Sequence, residues 1–359
     1  MSIQTHFNIF DKNIYLTSQS TAYKKAREKD ESILQEIKNA FKDADYPIID
    51  SFMQGSFSVN TAINSIEGDF DIDRAIVIES DTAPEDPLIP KKLILDILTK
   101  RNFENPKVKK PCVTADYLST NLHIDYIVYK RVGENYSLAV GKLNSAIAHK
   151  EWSASDPKGL SDWINTSVNY GESQIKKKKQ YKRLVRYIKR WRDVNFTEEV
   201  RKKIFSIGLT VMVKEQYKPN YFDSVISDDL SVLKTVIVNI LASNYFKKQF
   251  QSEDYRVYVN LPKKPYRDIF QHKIAGGESE NGSDLNVGNQ LRNKLIQLQN
   301  KLQNILDEVD EIKQCTILNG IFGSDFQIPS KSDSSNGGKV AAGATVFPSA
   351  GASGTSQGA

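Results

Sequence analysis

Three aspartates have the residue type and spacing that suit divalent-metal chemistry. Asp71 and Asp73 lie in the segment GDFDIDRAIVIES, where apolar residues alternate with other residues as in a β-strand. Their carboxylates are therefore predicted to project from one face. A later strand-like segment, NLHIDYIVYK, carries Asp125. Carboxylate oxygens are preferred ligands of Mg²⁺, and a pair of such ions can activate a hydroxyl group and stabilise a leaving group. Three like charges repel one another without cations, so we predict a site for two Mg²⁺ ions, with Mn²⁺ as a substitute.

The register of the first strand has an alternative. Asp69 and Asp71 have the same spacing as Asp71 and Asp73. We favour Asp71 and Asp73 because Ile72 and the apolar run 75–78 set the inward-facing positions of the strand.

A glycine and a serine upstream could contact phosphate. Gly55 allows the backbone to approach a phosphate closely, and the Ser56 hydroxyl and nearby backbone N–H groups can donate to its oxygens. A Gly-Ser pair alone has little specificity, and so has a lone Asp-x-Asp. Their combination with Asp125 is far more specific.

The elements that must position these residues predict an α+β fold. Residues 1–165 are expected to form an N-terminal helix and a mixed-sheet lobe that carries the aspartates, and residues 166–328 a mostly helical lobe. Bound substrate would lie in the cleft between the lobes. Residues 329–359 are rich in Gly, Ser and Ala and are predicted to be disordered. A heptad-like pattern over 291–312 indicates one long helix, which we expect to pack on other helices rather than form a dimeric coiled coil.

The combined pattern resembles the signature of the polymerase-beta nucleotidyltransferase superfamily. Within it, the chain is similar to the bacterial cGAS/DncV-like nucleotidyltransferases (CD-NTases) over most of residues 20–325. The matching segments are QGSFSVNTAI, GDFDIDRAIVI, HIDYIVY, SDPKGLSDW, YKRLVRYIKRWRD, IFSIGLTVMV and NLPKKPYRDIF. The resemblance implies that Asp71, Asp73 and Asp125 bind magnesium, and that Lys182 and Ser206 contact the donor triphosphate.

The same resemblance implies an activity and partners. Such enzymes join nucleoside triphosphates, here ATP, GTP or both, into a cyclic di- or trinucleotide that acts on a downstream effector in antiphage defence. Some are conjugated through their C-terminal residue by ubiquitin-like conjugation enzymes, which would suit a tail ending in Gly358 and Ala359; an ordinary disordered terminus is the alternative. Ile207 stands where animal relatives have a base-stacking aromatic residue, and zinc-ribbon cysteines are absent from the sequence.

Simpler interpretations exist for several of these residues. Lys182 could belong to the solvated face of an amphipathic helix, Ser206 could be a helix N-cap, and His123 could be structural. Other functions remain open: an RNA-tailing enzyme, a small-molecule or protein nucleotidyltransferase, or a catalytically silent NTP- or RNA-binding regulator.

Composition excludes other classes of site. Cys112 and Cys315 are the only cysteines among the 359 residues, and with four histidines they cannot form a zinc cluster at the usual spacing. No apolar run is long enough for a membrane span, and the N-terminal sequence lacks a secretory pattern, so a cytoplasmic protein without membrane contact is expected. The net charge of +5 is spread along the chain and permits nucleic acid without requiring it.

Overall fold

The computed structural model describes residues 2–64, 66, 70–101, 103–117, 122–146, 149–274 and 278–330. Asp69 and the tail beyond residue 330 lie outside these ranges, so the alternative register and the predictions on the tail stay predictions. The helices are α1 (Ile3–Ile14), α2 (Thr21–Asp43), α3 (Gly55–Ser58), α4 (Leu88–Lys100), α5 (Pro157–Asn165), α6 (Gln174–Asn195), α7 (Glu198–Arg201), α8 (Ser206–Gln216), α9 (Asp229–Ala242), α10 (Leu285–Asp307) and α11 (Glu311–Phe322), with a 3-10 turn at Val168–Tyr170. The strands are β1 (Ile48–Gln54), β2 (Phe70–Glu79), β3 (Glu104–Val108), β4 (Val113–Tyr117), β5 (Leu122–Val132), β6 (Asn135–Val140), β7 (Glu151–Ser155), β8 (Phe246–Lys248), β9 (Tyr255–Val257), β10 (His272–Lys273) and β11 (Ser279–Glu280).

Strands β1 to β7 form one mixed sheet. Its main path is β1-β2-β5-β4-β3, with β6 paired to β5 and β7 paired to β6. β2 and β5 are parallel, whereas their other neighbours are antiparallel. Alternate residues of β2 and β5, such as Ile72 and Ile124, pack against α2 and α4 on one face. The opposite face carries the aspartates, as the period-two pattern predicted.

The helical lobe has a separate core, and it includes α1, whereas α2 packs in the core of the sheet lobe. Phe7 and Phe10 of α1 are buried against Tyr187 of α6 and against Phe322 and Phe326 at the C-terminal end of the described chain. A division at residue 165 therefore misplaces α1, because its apolar face packs in the second lobe. Within the described ranges, no helix has both the length and the apolar composition that a membrane span needs.

The predicted long helix over 291–312 is two helices. α10 ends at Asp307, Val309 is 97% exposed, and α11 begins at Glu311. The Gln314 side-chain amide donates to the carbonyls of Ile305 and Glu308, which stabilises the break. The apolar positions of α10 are buried in the helical core, so packing on other helices, rather than a coiled coil, is confirmed.

Helix α6 connects the two lobes through its basic side chains. Arg186, Lys189 and Arg190 are buried, and they donate to the backbone carbonyls of Asn60, Thr61 and Asn64 at distances of 2.7, 2.9 and 2.6 Å, respectively. This loop directly follows the Gly55–Ser56 turn. These three basic side chains of α6 are therefore not solvated, and they tie the loop after the Gly-Ser turn to the helical lobe.

Candidate active site

The parallel pairing of β2 with β5 brings the three aspartates together on one face of the sheet. Asp73 lies directly opposite Asp125, and Asp71 lies opposite His123. Residues paired in this way share a face, so all three carboxylates project from the same face of the sheet. Asp71 is exposed, and Asp73 and Asp125 are partly buried. The structure thus places the three side chains on one face of the sheet, as the strand alternation predicted.

Two residues that the sequence did not single out hold the Asp125 carboxylate. Thr114 lies opposite Asp125 on β4, and its hydroxyl donates to Asp125 Oδ1 at 2.5 Å. The Lys109 ammonium lies 3.5 Å from the same oxygen. Burial lowers the pKa of Lys109, but the charges of Asp125, Cys112 and Asp71 outweigh burial and raise it above its ordinary value. Lys109 therefore remains a cation beside the aspartates.

Ionisation of the Asp73 carboxyl group is disfavoured. Its pKa is raised to about 7, first by burial and then by the negative charges of Asp125 and Asp71. Lys189 and Lys109 oppose this effect. Any positive charge added beside this carboxyl group would stabilise its ionised form and lower its pKa.

Gly55 lies in direct contact with Asp73. Its φ of 69° is in the left-handed region, and a Cβ at this position would overlap the Asp73 carboxylate. Gln54 pairs with Asp73 across β1 and β2, and its side chain accepts a 3.1 Å hydrogen bond from the Tyr129 hydroxyl. Ser56 follows in the single turn of α3, partly buried and next to the aspartates. The Gly-Ser turn and the carboxylates therefore form one surface.

The donor set suits a hard divalent cation, although the three carboxylates lie further apart than the ligands of one bound ion. In the described part of the chain, no three Asp, Glu, His or Cys side chains stand close enough to form a ligand group for one ion. Asp125 is held instead by Thr114 and Lys109. Asp71, Asp73 and Asp125 offer oxygen ligands on one face, and the raised pKa of Asp73 shows the unfavourable charge density that a cation would relieve.

The structure places the two residues assigned to the donor triphosphate on different helices. Ser206 is the first residue of α8, and its hydroxyl accepts a 2.8 Å hydrogen bond from Arg192 at the end of α6. Lys182 lies ten residues earlier on α6, which corresponds to about 15 Å along the helix axis. Its ammonium donates to Asn165 Oδ1 at 2.6 Å. Arg192 is therefore the cation beside Ser206, and the contact of Lys182 with the donor triphosphate stays a prediction.

The structure also decides between the simpler interpretations. Phe205, not Ser206, is the N-cap of α8, so the N-cap interpretation of Ser206 is wrong. His123 Nδ1 makes a 2.8 Å hydrogen bond with Asp116 on the neighbouring strand β4, which supports a structural role. No local pattern marks Lys109 or Thr114. The pairing of β4 with β5 brings Thr114 to Asp125, and Lys109 directly follows β3, which pairs with β4. Arg192 could have been found from its position on the basic helix.

Comparison with known proteins agrees with this geometry. Residues 50–129 match the family described as the nucleotidyltransferase domain of DncV-like cyclic GMP-AMP synthases. A cyclic GMP-AMP synthase of Escherichia albertii is 31% identical over 202 residues, which are 54% of this chain and 42% of that protein. The chain thus matches less than half the length of this relative.

Two solved structures share the fold over most of their length. One is the Bradyrhizobium diazoefficiens CD-NTase CdnG in complex with GTP, with a TM-score of 0.64, 14% identity and coverage of 91% of this chain and 96% of that one. The other is the Vibrio cholerae DncV cyclic AMP-GMP synthase, a prokaryotic cGAS homolog, with a TM-score of 0.65, 17% identity and coverage of 91% and 97%. These similarities confirm the predicted α+β fold, with a polymerase-beta-like lobe and a helical lobe.

Proposed function

Because residues 50–129 belong to the DncV-like nucleotidyltransferase domains, as the resemblance predicted, we propose that this chain is a magnesium-dependent nucleotidyltransferase. It would join nucleoside triphosphates into a cyclic di- or trinucleotide and release pyrophosphate. The observation that carries the proposal is the pairing of Asp73 with Asp125, with Asp71 on the same face, beside the Gly55–Ser56 turn.

The chemistry divides between bound ions and protein groups. Two Mg²⁺ ions bound to Asp71, Asp73 and Asp125 would lower the pKa of the acceptor hydroxyl and neutralise charge on the leaving pyrophosphate. Thr114 and Lys109 orient the Asp125 carboxylate. The protein thus contributes mainly positioning and charge.

The donor nucleotide would lie between the Gly-Ser turn and the helical lobe. The Ser56 hydroxyl and adjacent N–H groups would donate to its phosphates from one side, and Ser206 with Arg192 from the other. ATP and GTP are the proposed substrates, and the GTP bound to the CdnG relative supports this choice. A downstream effector that binds the cyclic product, and a role in antiphage defence, are part of the same proposal.

Product analysis tests this function. The full chain is incubated with each combination of labelled NTPs and MgCl₂, treated with phosphatase, and analysed by thin-layer chromatography and mass spectrometry. A cyclic product survives phosphatase treatment and gives the mass of a closed ring. Long phosphatase-sensitive RNA products, or transfer to a protein or small molecule, would instead assign another activity of this superfamily.

Matched variants test the site itself. Asp71→Asn and Asp73→Asn should each lower NTP turnover by at least about a thousandfold, because charge stabilisation at the reacting phosphate is lost. Asp50→Asn is the control, since Asp50 lies on β1 of the same sheet and makes an ion pair with Lys158 at the surface. Turnover retained in Asp73→Asn would refute the assignment. NTP binding that depends on Mg²⁺ but produces no turnover in the unmodified chain would indicate a silent regulator.

A further inference from the structure

The Lys109 ammonium interacts with all three aspartates of the candidate site. Lys109 directly follows β3, and its ammonium lies 3.5 Å from Asp125 Oδ1. Burial lowers the pKa of Lys109, but the charges of Asp125 and Asp71 help to raise it above its usual value. The Lys109 charge in turn lowers the pKa of Asp73, against the effects of burial and like charge. One positive charge of the protein therefore lies where the proposed site would hold a metal ion.

The contact between Lys109 and Asp125 is longer than a direct charged hydrogen bond. Such bonds measure about 2.7–2.9 Å, whereas this ammonium lies 3.5 Å from the carboxylate oxygen. The Lys109 side chain is 44% exposed and that of Asp125 is 23% exposed. An ammonium that is exposed to this extent regains water when it leaves a carboxylate, so the ion pair should be easy to break.

The backbone of Lys109 is fixed although its side chain reaches the surface. Lys91 of α4 is only 1% exposed. Its ammonium donates to three backbone carbonyls, those of Lys109, Lys110 and Gly141, at 2.8, 2.9 and 2.8 Å. The Lys109 N–H donates to the Cys112 carbonyl at 2.9 Å. Movement of the Lys109 ammonium would thus require rotation of its side chain alone.

Thr114 holds Asp125 independently of Lys109. Its hydroxyl donates to the same carboxylate oxygen, Oδ1, at 2.5 Å. Thr114 is 1% exposed and lies opposite Asp125 where β4 pairs with β5, so the sheet keeps this donor in place. The two partners of the oxygen therefore differ: Thr114 is a neutral donor on a buried strand, and Lys109 is a charge on a long, half-exposed side chain.

We propose that Lys109 is a displaceable counterion of the aspartates, and that a divalent ion replaces its ammonium when it binds. Mg²⁺ carries twice the charge and approaches carboxylate oxygens to about 2.1 Å, closer than an ammonium does. The ion and the ammonium repel each other, so they compete for Asp125. Lys109 then orients Asp125 only until an ion binds, and Thr114 alone holds it afterwards. This inference rests on the proposed function only through its metal site.

Binding of Mn²⁺ without nucleotide tests the competition. Calorimetry on the full chain measures it, and the signal lost in Asp73→Asn defines the site. Lys109→Met should bind Mn²⁺ at least about threefold more tightly than the unmodified chain, because a competing half-exposed charge is removed. Thr114→Val should bind it at least about tenfold less tightly, because the ligand loses its fixed hydrogen-bond donor. A lysine that only oriented Asp125 would instead change affinity in the same direction as Thr114.

Two further variants control for net charge and for the loss of the side chain. Lys110→Met removes the same charge from the next residue, whose side chain is exposed, and should change Mn²⁺ binding by less than about twofold. Lys109→Arg keeps a cation at the site, so it should not bind Mn²⁺ more tightly than the unmodified chain. Thermal unfolding in EDTA shows whether each variant is folded. If Lys109→Met unfolds early, Lys109→Gln replaces it in the same comparison.

Amine labelling measures the displacement itself. A short pulse of acetic anhydride acetylates accessible lysines, and mass spectrometry of the digested chain compares Lys109 with its neighbour Lys110. Addition of Mg²⁺ should raise the labelling of Lys109 relative to Lys110 at least about twofold, because an amine that leaves a carboxylate loses its proton more readily.

The outcomes distinguish this inference from the proposed function. Equal or weaker Mn²⁺ binding by Lys109→Met, or labelling of Lys109 that Mg²⁺ does not raise, overturns the counterion role and leaves the metal site in place. Absence of Mn²⁺ binding in the unmodified chain and in every variant overturns the metal site and the counterion role together. Tighter binding and raised labelling in a chain that forms no nucleotide product support the counterion role and contradict the proposed activity.

Discussion

At Gly55, close packing excludes any side chain larger than hydrogen, and the backbone conformation disfavours one. The positive φ alone can be accommodated with modest strain, as the non-glycine residues Asn60 and Ser173 demonstrate. The contact with Asp73 is the stricter requirement, because a Cβ would displace the carboxylate from the face that it shares with Asp125. The Gly-Ser turn thus has a second role beside phosphate contact: it positions an acidic side chain.

Gly55→Ala should therefore impair activity far more than stability. We expect a loss of turnover of at least about a hundredfold, because a displacement of about 1 Å in a catalytic group has that effect. Destabilisation should be about 1–2 kcal/mol from the left-handed conformation. Turnover assays and urea denaturation measure the two effects.

Gly133→Ala is the control for Gly55→Ala. Gly133 also has a positive φ, of 55°, but an added Cβ would meet nothing within 4 Å. The Gly133→Ala variant should lose about as much stability as Gly55→Ala and keep its activity. Equal activity in the two variants would contradict the positioning role of Gly55.

The ionisation of Asp73 gives a pH dependence with a defined sign. Its pKa is about 7 in the folded chain against an ordinary value of 3.8, so the folded state holds more protons between about pH 4 and pH 7. Stability of the metal-free protein should therefore fall as pH rises through this window. Asp73→Asn removes the effect and should be more stable than the unmodified chain by about 1–3 kcal/mol at pH 8, but by much less at pH 4.5.

Denaturation in EDTA at the two pH values checks this prediction. The stability difference between Asp73→Asn and the unmodified chain must grow with pH, whereas Asp50→Asn should show no comparable growth. A difference that is the same at both pH values would mean that burial and neighbouring charge do not disfavour the Asp73 anion.

Sequence reasoning identified the acidic residues but not their supports. Asp71, Asp73 and Asp125 could be found because strand alternation fixes which face each residue occupies. Thr114 and Lys109 could not be found, since the position of Thr114 depends on which residues pair between β4 and β5, and that of Lys109 on the pairing of β3 with β4. The family resemblance implied Lys182 on α6, and its role stays a prediction, whereas Arg192 is the cation that the structure places beside Ser206.

At the scale of elements, a buried ion pair fixes the strand that carries two of the aspartates. Arg74 of β2 is 4% exposed and bonds to Asp30 of α2, which is fully buried; its Nε lies 3.1 Å from Asp30 Oδ2. Glu31 accepts a further bond from Arg74 at 2.8 Å. Arg74 projects from the face opposite Asp71 and Asp73, so this pair sets the position of β2 from behind.

Removing one partner of this pair should destabilise the chain strongly. Arg74→Met leaves the Asp30 charge buried with less compensation, and we expect a loss of about 3–5 kcal/mol in urea denaturation. The double variant Arg74→Met with Asp30→Leu should recover most of that loss, because apolar replacement of both partners is often nearly neutral. If the double variant is as unstable as the sum of the single variants, the two side chains are not coupled.

Elements were predictable where their periodicity was strong and uninterrupted. β2 and β5 follow from alternation, and α6 from its apolar stripe. The boundary between α10 and α11 was missed because Val309 and Ile312 continue the apolar spacing although Val309 faces solvent. Strands β6 and β7 were missed because they are short and pair only with each other and β5.

At the scale of the whole molecule, the N-terminal helix closes the helical core. α1 packs on α6 and α11, and His6 and Asn13 bond to Glu311 and the Asp325 carbonyl at 2.6 and 3.0 Å. Because α6 in turn holds the loop after the Gly-Ser turn, α1 supports the cleft from behind. Sequence order could not indicate this, since α1 precedes the sheet lobe in the chain but belongs to the core of the other lobe.

Phe10→Ala tests whether α1 is an integral part of that core. Phe10 is 1% exposed, and its ring lies 5.2, 4.9 and 5.2 Å from the rings of Tyr187, Phe322 and Phe326. Truncation should cost about 3–5 kcal/mol, the usual effect of a cavity left by a buried phenylalanine. The matched control is Phe222→Ala, which makes the same chemical change at a side chain that is 79% exposed and should cost less than about 0.5 kcal/mol. Urea denaturation measures both, and equal stability of the two variants would mean that α1 packs only loosely on the helical lobe.

Because α6 contacts both lobes, Phe10→Ala should also lower the denaturation midpoint of the sheet lobe, so that fluorescence and circular dichroism report one shifted transition rather than two.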